Sequence, residues 1–253
     1  MIDFASVQRI ANQTTNRFEF WQEFITYSQS EVVAEVGVFR GVFAEKILRH
    51  CTHIKTYTMV DPWRHLVGQY NEVANVSDDT FDSYYKETLR RTDAFADKRV
   101  VMRGTTQEVI DQIPDESLDF IYIDGDHTLE GITIDMIKWY PKVKPGGFIG
   151  GDDFGTTIFQ MPLKFEPSPI FPWVVYFAKS MDAELYGLPH WQFLLVKPPV
   201  HGQKEFVFHD LTGGEYFDTS LKSQIVRGPL WYIKKQYISP IYQKVRRLIS
   251  NSK

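Results

Sequence analysis

The stretch that most constrains this chain runs from Leu118 to Phe154, LDFIYIDGDHTLEGITIDMIKWYPKVKPGGFIGGDDF. Leu118 to Ile123 is a short apolar run of the kind a fully buried strand shows. Thr128 can cap a helix that carries Ile132, Ile134, Met136, Ile137 and Trp139. Lys144-Pro145-Gly146-Gly147 turns the chain, and Phe148 to Gly151 reads as a second strand ending in Asp152-Asp153. Strand, helix and strand make one βαβ unit, with parallel strands and a right-handed crossover.

That topology has a chemical consequence. Parallel neighbours lie roughly 4.8 Å apart with their carboxyl ends side by side. Asp124 at one tip and Asp152 and Asp153 at the other therefore converge. Carboxylates that close repel unless a cation or a proton lies between them, and a hard divalent ion with oxygen ligands is the natural occupant. His127 lies three residues past Asp124, within reach, and a neutral imidazole there suits proton abstraction near pH 7. The plainer reading makes these acids turn formers at strand ends. Functional groups gather at the carboxyl ends of parallel strands, which favours the chemical reading for the four together.

A second strand–turn–helix lies upstream. Glu31 to Val38 is EVVAEVGV, followed by Phe39-Arg40-Gly41 and a helix from about Val42. Gly37 permits close approach of a ligand, and Gly41 opens the helix. Phe39 occupies the second glycine position of the nicotinamide fingerprint, and no G-x-x-x-x-G-K-[ST] phosphate loop occurs. Glu35 is a charge near the end of an apolar strand, where it can accept a hydrogen bond from a cationic ligand. Thr56 to Val60 then ends in Asp61-Pro62-Trp63, and an acid at the second strand end can bind both hydroxyls of a ribose; a simple turn before Pro62 is the alternative. Gly104 and Thr105, after the third strand, can border an adenine ring, and Thr105 can equally cap the next helix.

The flanks are less specific. Residues 2–29 read as mostly helical, with Phe18, Phe20, Trp21, Phe24 and Ile25 covering the sheet or lidding a pocket. Ala183 to Leu188 and Trp191 to Val196 are strands joined so tightly through Pro189-His190 that they must be antiparallel. Phe206 to Phe208 suggests a further short strand. The last acid is Asp218, and eight basic residues from Lys222 to Lys253 follow it. That amphipathic tail can rest on a membrane surface or pack on the acidic body of its own or a partner subunit.

The bulk numbers set the limits. At 253 residues and 43% apolar, the chain suits one large α/β domain with an appendage. One cysteine, Cys51, allows neither a disulfide framework nor a cysteine zinc site within the chain. The net charge of −4 argues against a nucleic-acid partner. The N-terminus has no signal-peptide pattern and no run reaches membrane-span length, so a cytoplasmic location is expected.

Glu35-Val-Gly37 with Gly41, Asp61-Pro62-Trp63, and IDGDHTLEG with KPGGFIGGDD together resemble the class I S-adenosylmethionine-dependent methyltransferases. The resemblance is to their metal-dependent branch, which includes macrolide-sugar O-methyltransferases and cephalosporin-hydroxylase-like proteins. It covers roughly residues 30–200, between an N-terminal helical cap (1–29) and a basic, partly helical extension (201–253). It implies a Rossmann-like, doubly wound, seven-stranded α/β sheet with only the last strand antiparallel. It also implies roles. Glu35, Gly37, Gly41, Asp61, Trp63, Gly104, Thr105 and Asp124 would surround S-adenosylmethionine. Asp124, Asp152 and Asp153 would hold magnesium, and His127 would be the general base. Related sugar methyltransferases often have Glu-Asp where this chain has Asp152-Asp153. The implied activity is O-methylation of a sugar, glycan or small natural-product hydroxyl, and a homo-oligomer is one expected assembly. The alternatives are a hydroxylase-like or noncatalytic protein on the same fold, and a membrane- or glycan-associated binding module.

Overall fold

A computed structural model describes residues 2–67, 74–160, 164–200, 202 and 205–216. Its elements in chain order are α1 (Phe4–Gln13), α2 (Arg17–Ser28), β1 (Val32–Val36), α3 (Val42–His50), β2 (Thr56–Asp61), α4 (Asp78–Arg91), β3 (Arg99–Arg103), α5 (Thr106–Val109), β4 (Leu118–Ile123), α6 (Leu129–Trp139), β5 (Val143–Gly151), α7 (Ile170–Ser180), β6 (Glu184–Leu188), β7 (Gln192–Val196) and β8 (Val207–Asp210).

The strands form one sheet in the order β3-β2-β1-β4-β5-β7-β6-β8. All neighbours are parallel except β7, which runs antiparallel to both β5 and β6. Among the described residues the sheet therefore has eight strands where seven were expected. The antiparallel strand is the seventh, and β8 adds to the edge parallel to β6. The short strand suggested at Phe206–Phe208 is this β8, shifted by one residue at its start. The order reverses between β1 and β4, which opens a crevice above their carboxyl ends.

Alternation along the strands sorts the core into two layers. Ala34, Val36, Ile121, Ile123 and Ile149 face α5, α6 and α7. Val33, Tyr57, Met59, Phe120 and Tyr122 face α1, α2 and α3. Phe20, Trp21, Phe24 and Ile25 of α2 are buried in the second layer, with Trp21 in ring contact with Phe120 and Tyr122. Each such side chain is worth roughly 1.5–3 kcal/mol of burial, so the N-terminal helices are a structural layer of the sheet and not a detachable lid.

Local signals set the helix boundaries. Asn16 accepts the Glu19 amide at the start of α2, and Thr128 accepts the Gly131 amide at the start of α6. Thr105 and Glu108 form a reciprocal capping box on α5. No helix among the described residues is long and apolar enough to cross a membrane. The basic amphipathic segment expected from Lys222 onward lies outside the described residues.

Candidate active site

The crevice over the β1–β4 switch holds a cavity of about 1150 Å³, whose wall includes Arg17, Glu35, Gly37, Asp61, Asp124 and His127. Gly104 and Thr105 also line it, at the far side.

Gly37 fits this place for a steric reason. It has φ +86, and a Cβ there would lie 1.9 Å from the Asp124 carbonyl oxygen. The β1 and β4 tips touch through backbone, with Asp124 N donating to Val36 O at 2.8 Å. Three non-glycine residues just past neighbouring strand tips are also left-handed: Phe39 (φ 53), Trp63 (φ 40) and Asp153 (φ 55). Such residues cost of order 1–3 kcal/mol each and cluster where function over-determines the backbone.

Asp61 receives two backbone amides, Phe39 N at 2.8 Å on Oδ2 and Trp63 N at 2.7 Å on Oδ1. Burial raises its pKa to about 6 against those bonds. Asp61 also lines the cavity, and a carboxylate oxygen can accept more than one hydrogen bond. Glu35 is buried, and Tyr57 donates to its Oε2 at 2.7 Å. Burial, with Tyr57 opposing, pushes its carboxyl well above the ordinary range. Thr105 is engaged in capping and also lines the cavity.

Two expected cofactor residues stand elsewhere. Trp63 is fully buried, and its indole donates to Phe39 O at 2.8 Å, so it braces the loop from beneath. Gly41 caps α3 with φ +71, and a Cβ there would press on Thr88 of α4 at 2.8 Å. Neither lines the cavity.

The four residues of the carboxylate–imidazole group do come together. His127 Nε2 lies 3.3 Å from Asp124 Oδ1, and Nδ1 lies 2.7 Å from Asp153 Oδ2. The second contact is close but poorly aligned as a hydrogen bond, so charge pairing carries it. Burial opposes the imidazolium, yet Asp124 and Asp153 together raise its pKa well above 6.5. The imidazole here therefore holds its proton more tightly than an ordinary histidine, where the sequence suggested a ready proton acceptor. Asp153 is correspondingly held below the usual carboxylate range: burial pushes it up, and His127 more than offsets that.

The cation among these acids is Arg17, which sequence reasoning missed. Its guanidinium is ion-paired with Asp152 and lies 3.4 Å from Asp124. Asp152 is steered by a buried amide: Gln192 Nε2 donates to Asp152 Oδ1. Gln192 Oε1 accepts from Trp21 Nε1 at 2.8 Å and from Tyr122 OH at 2.7 Å. Gly150 admits the Trp21 ring, which a Cβ would meet at 2.3 Å. A glycine in β5 facing an aromatic helix, with a lone glutamine in an apolar strand, was the available signal.

Three carboxylates have the right chemistry for a divalent ion, but their arrangement does not fit one. Asp124 and Asp152 are spanned by Arg17, and Asp124 and Asp153 by His127. No three acidic, histidine or cysteine side chains among the described residues are placed to share a metal.

Residues 34–154 match a family described as a methyltransferase domain. A protein from Staphylococcus aureus assigned as a caffeoyl-CoA O-methyltransferase shares the fold at TM-score 0.54 and 14% identity, over 78% of this chain and 93% of that one. The cofactor-bound Rv0187 from MTB matches at TM-score 0.51 and 14% identity, over 76% and 88%. An O-methyltransferase family protein from Burkholderia thailandensis matches at TM-score 0.51 and 13% identity, over 79% and 59%. No curated protein matches the sequence. Sheet order, crevice and domain match together support a class I methyltransferase reading, of the S-adenosylmethionine-dependent type. The matched segment, residues 34–154, is just under half of the chain.

Proposed function

We propose that this protein transfers the methyl group of S-adenosylmethionine to a hydroxyl of a sugar, glycan or small natural product. The observation that carries the reading is the joining of a donor crevice to a proton-handling group: Gly37 and Asp61 line the same cavity as Asp124 and His127. Asp61 would accept the ribose hydroxyls, and Glu35 and Gly37 would face the methionine part. Gly104 and Thr105 would border the adenine.

The acceptor oxygen attacks the sulfonium methyl in line, and its proton has to leave. Among the described residues, His127 is the only imidazole on the cavity wall. It can act as base only after shedding the proton that Asp124 and Asp153 favour. Turnover should therefore rise with pH through a value above imidazole's ordinary 6.5. Loss of positive charge at sulfur means the site mainly positions and desolvates the reactants. Magnesium held by Asp124, Asp152 and Asp153 is the role the family resemblance implies; the present side-chain arrangement argues against it, and no step here depends on it.

His127→Ala should leave S-adenosylmethionine binding intact and lower turnover by about 10²–10⁴-fold. Release of S-adenosylhomocysteine against a panel of sugar and phenolic acceptors measures this. Full activity in the variant would remove His127 as base.

A further inference from the structure

We propose that Arg17 is the resident cation of the Asp124–Asp152 carboxylate pair, standing where a divalent ion would otherwise bind, so that the pair is closed to free metal ions while Arg17 is in place.

The position of Arg17 is unusual for its helix. It is the first residue of α2, and a cation at a helix N-terminus opposes the macrodipole. Its seat is therefore dictated by the acids it faces, Asp124 and Asp152. The helix is not free to carry it elsewhere, because Trp21 and Phe24, one and two turns on, are fully buried on the sheet. Asp152 is fixed from the other side by Gln192, whose amide is also tied to Trp21. One amide thus links the helix that supplies the guanidinium to the carboxylate that receives it. Arg17 keeps 32% of its side chain exposed and lines the cavity. Its remaining N–H groups can meet an acceptor's oxygen, as a planar fork of donors does.

The inference concerns ion occupancy and does not rest on methyl transfer, so its failure and that of the proposed activity are separable. The test is titration of the full chain with Mn²⁺, followed by electron paramagnetic resonance of the free ion. Wild type and Arg17→Lys, which keeps the charge, should bind Mn²⁺ weakly. Arg17→Gln should bind about tenfold or more tightly, because two carboxylates lose their counter-ion. Adding Asp152→Asn to Arg17→Gln should abolish that gain. Equal Mn²⁺ affinity in wild type and Arg17→Gln, whether tight or absent, would overturn the proposal. So would a gain in Arg17→Gln that survives Asp152→Asn.

Discussion

Gly37 and Asp61 show how single residues carry both fold and site. A side chain at Gly37 would collide with backbone of the adjacent strand, and backbone cannot rotate away. Gly37→Ala should therefore cost about 3 kcal/mol or more, read as a shift in the urea midpoint at unchanged slope. A loss under 1 kcal/mol would mean the strand tips are looser than described. Asp61 supplies a pH prediction. If Asp61 takes the proposed ribose role, the hydroxyls donate to its charged carboxylate, whose pKa is raised to about 6. S-adenosylmethionine affinity should fall as pH drops through 6, and calorimetry across pH 5–8 would register it. At this scale the sequence was informative for Gly37, Asp61, Asp124 and His127, because apolar strands point at their own tips. It was silent on Arg17. An arginine in a polar stretch before an aromatic helix carries no local mark of the distant carboxylates it meets. Trp63 misled because a tryptophan beside a ligand acid resembles a pocket wall, whereas its indole is spent on Phe39 O.

Between elements, two buried polar contacts set geometry that apolar packing leaves loose. The first is Gln192 of β7, bonded to Trp21 of α2, Tyr122 of β4 and Asp152 at the end of β5. Gln192→Leu would strand two buried donors, a loss of about 2–5 kcal/mol that chemical denaturation would register. The second joins α5 and α6. Thr106 donates to Asp135 Oδ1 at 2.6 Å, and Trp139 donates to Thr106 Oγ1 at 2.9 Å. Burial pushes the Asp135 carboxyl up to about 7, against the Thr106 bond. A raised acid favours the fold while it is protonated. Its contribution is complete below about pH 4 and is lost as pH rises to 7, a change of roughly 4 kcal/mol. Asp135→Asn should flatten that part of the stability profile; an unchanged profile would contradict the assignment. The βαβ unit was legible because Leu118–Ile123 and Phe148–Gly151 are apolar runs bounded by turn residues. Its second strand begins earlier, at Val143, with a register shift opposite Leu118 and Phe120. Pro145 and the glycines disguised that extension as turn.

The molecule as a whole places its cavity where an open α/β sheet reverses strand order. The cavity lies over that reversal, and the acid–imidazole group gathers at the tips of β4 and β5 beside it. β8 escaped the expected seven-strand scheme because strand pairing at an edge is decided by a partner distant in sequence, here β6. Tyr216, packed against Phe154 and Phe171, anchors the chain after β8 back onto the core. If the crevice is the donor site, cofactor binding should stabilise the entire sheet. At 100 times its Kd the gain is about 2.7 kcal/mol, visible as a rise in Tm. The most direct test of the account is calorimetric titration of S-adenosylhomocysteine into wild type and Asp61→Ala. It predicts one site per chain in wild type and at least about tenfold weaker binding in the variant, as for loss of hydrogen bonds to a charged group. No binding to wild type, or equal binding to both proteins, would contradict it.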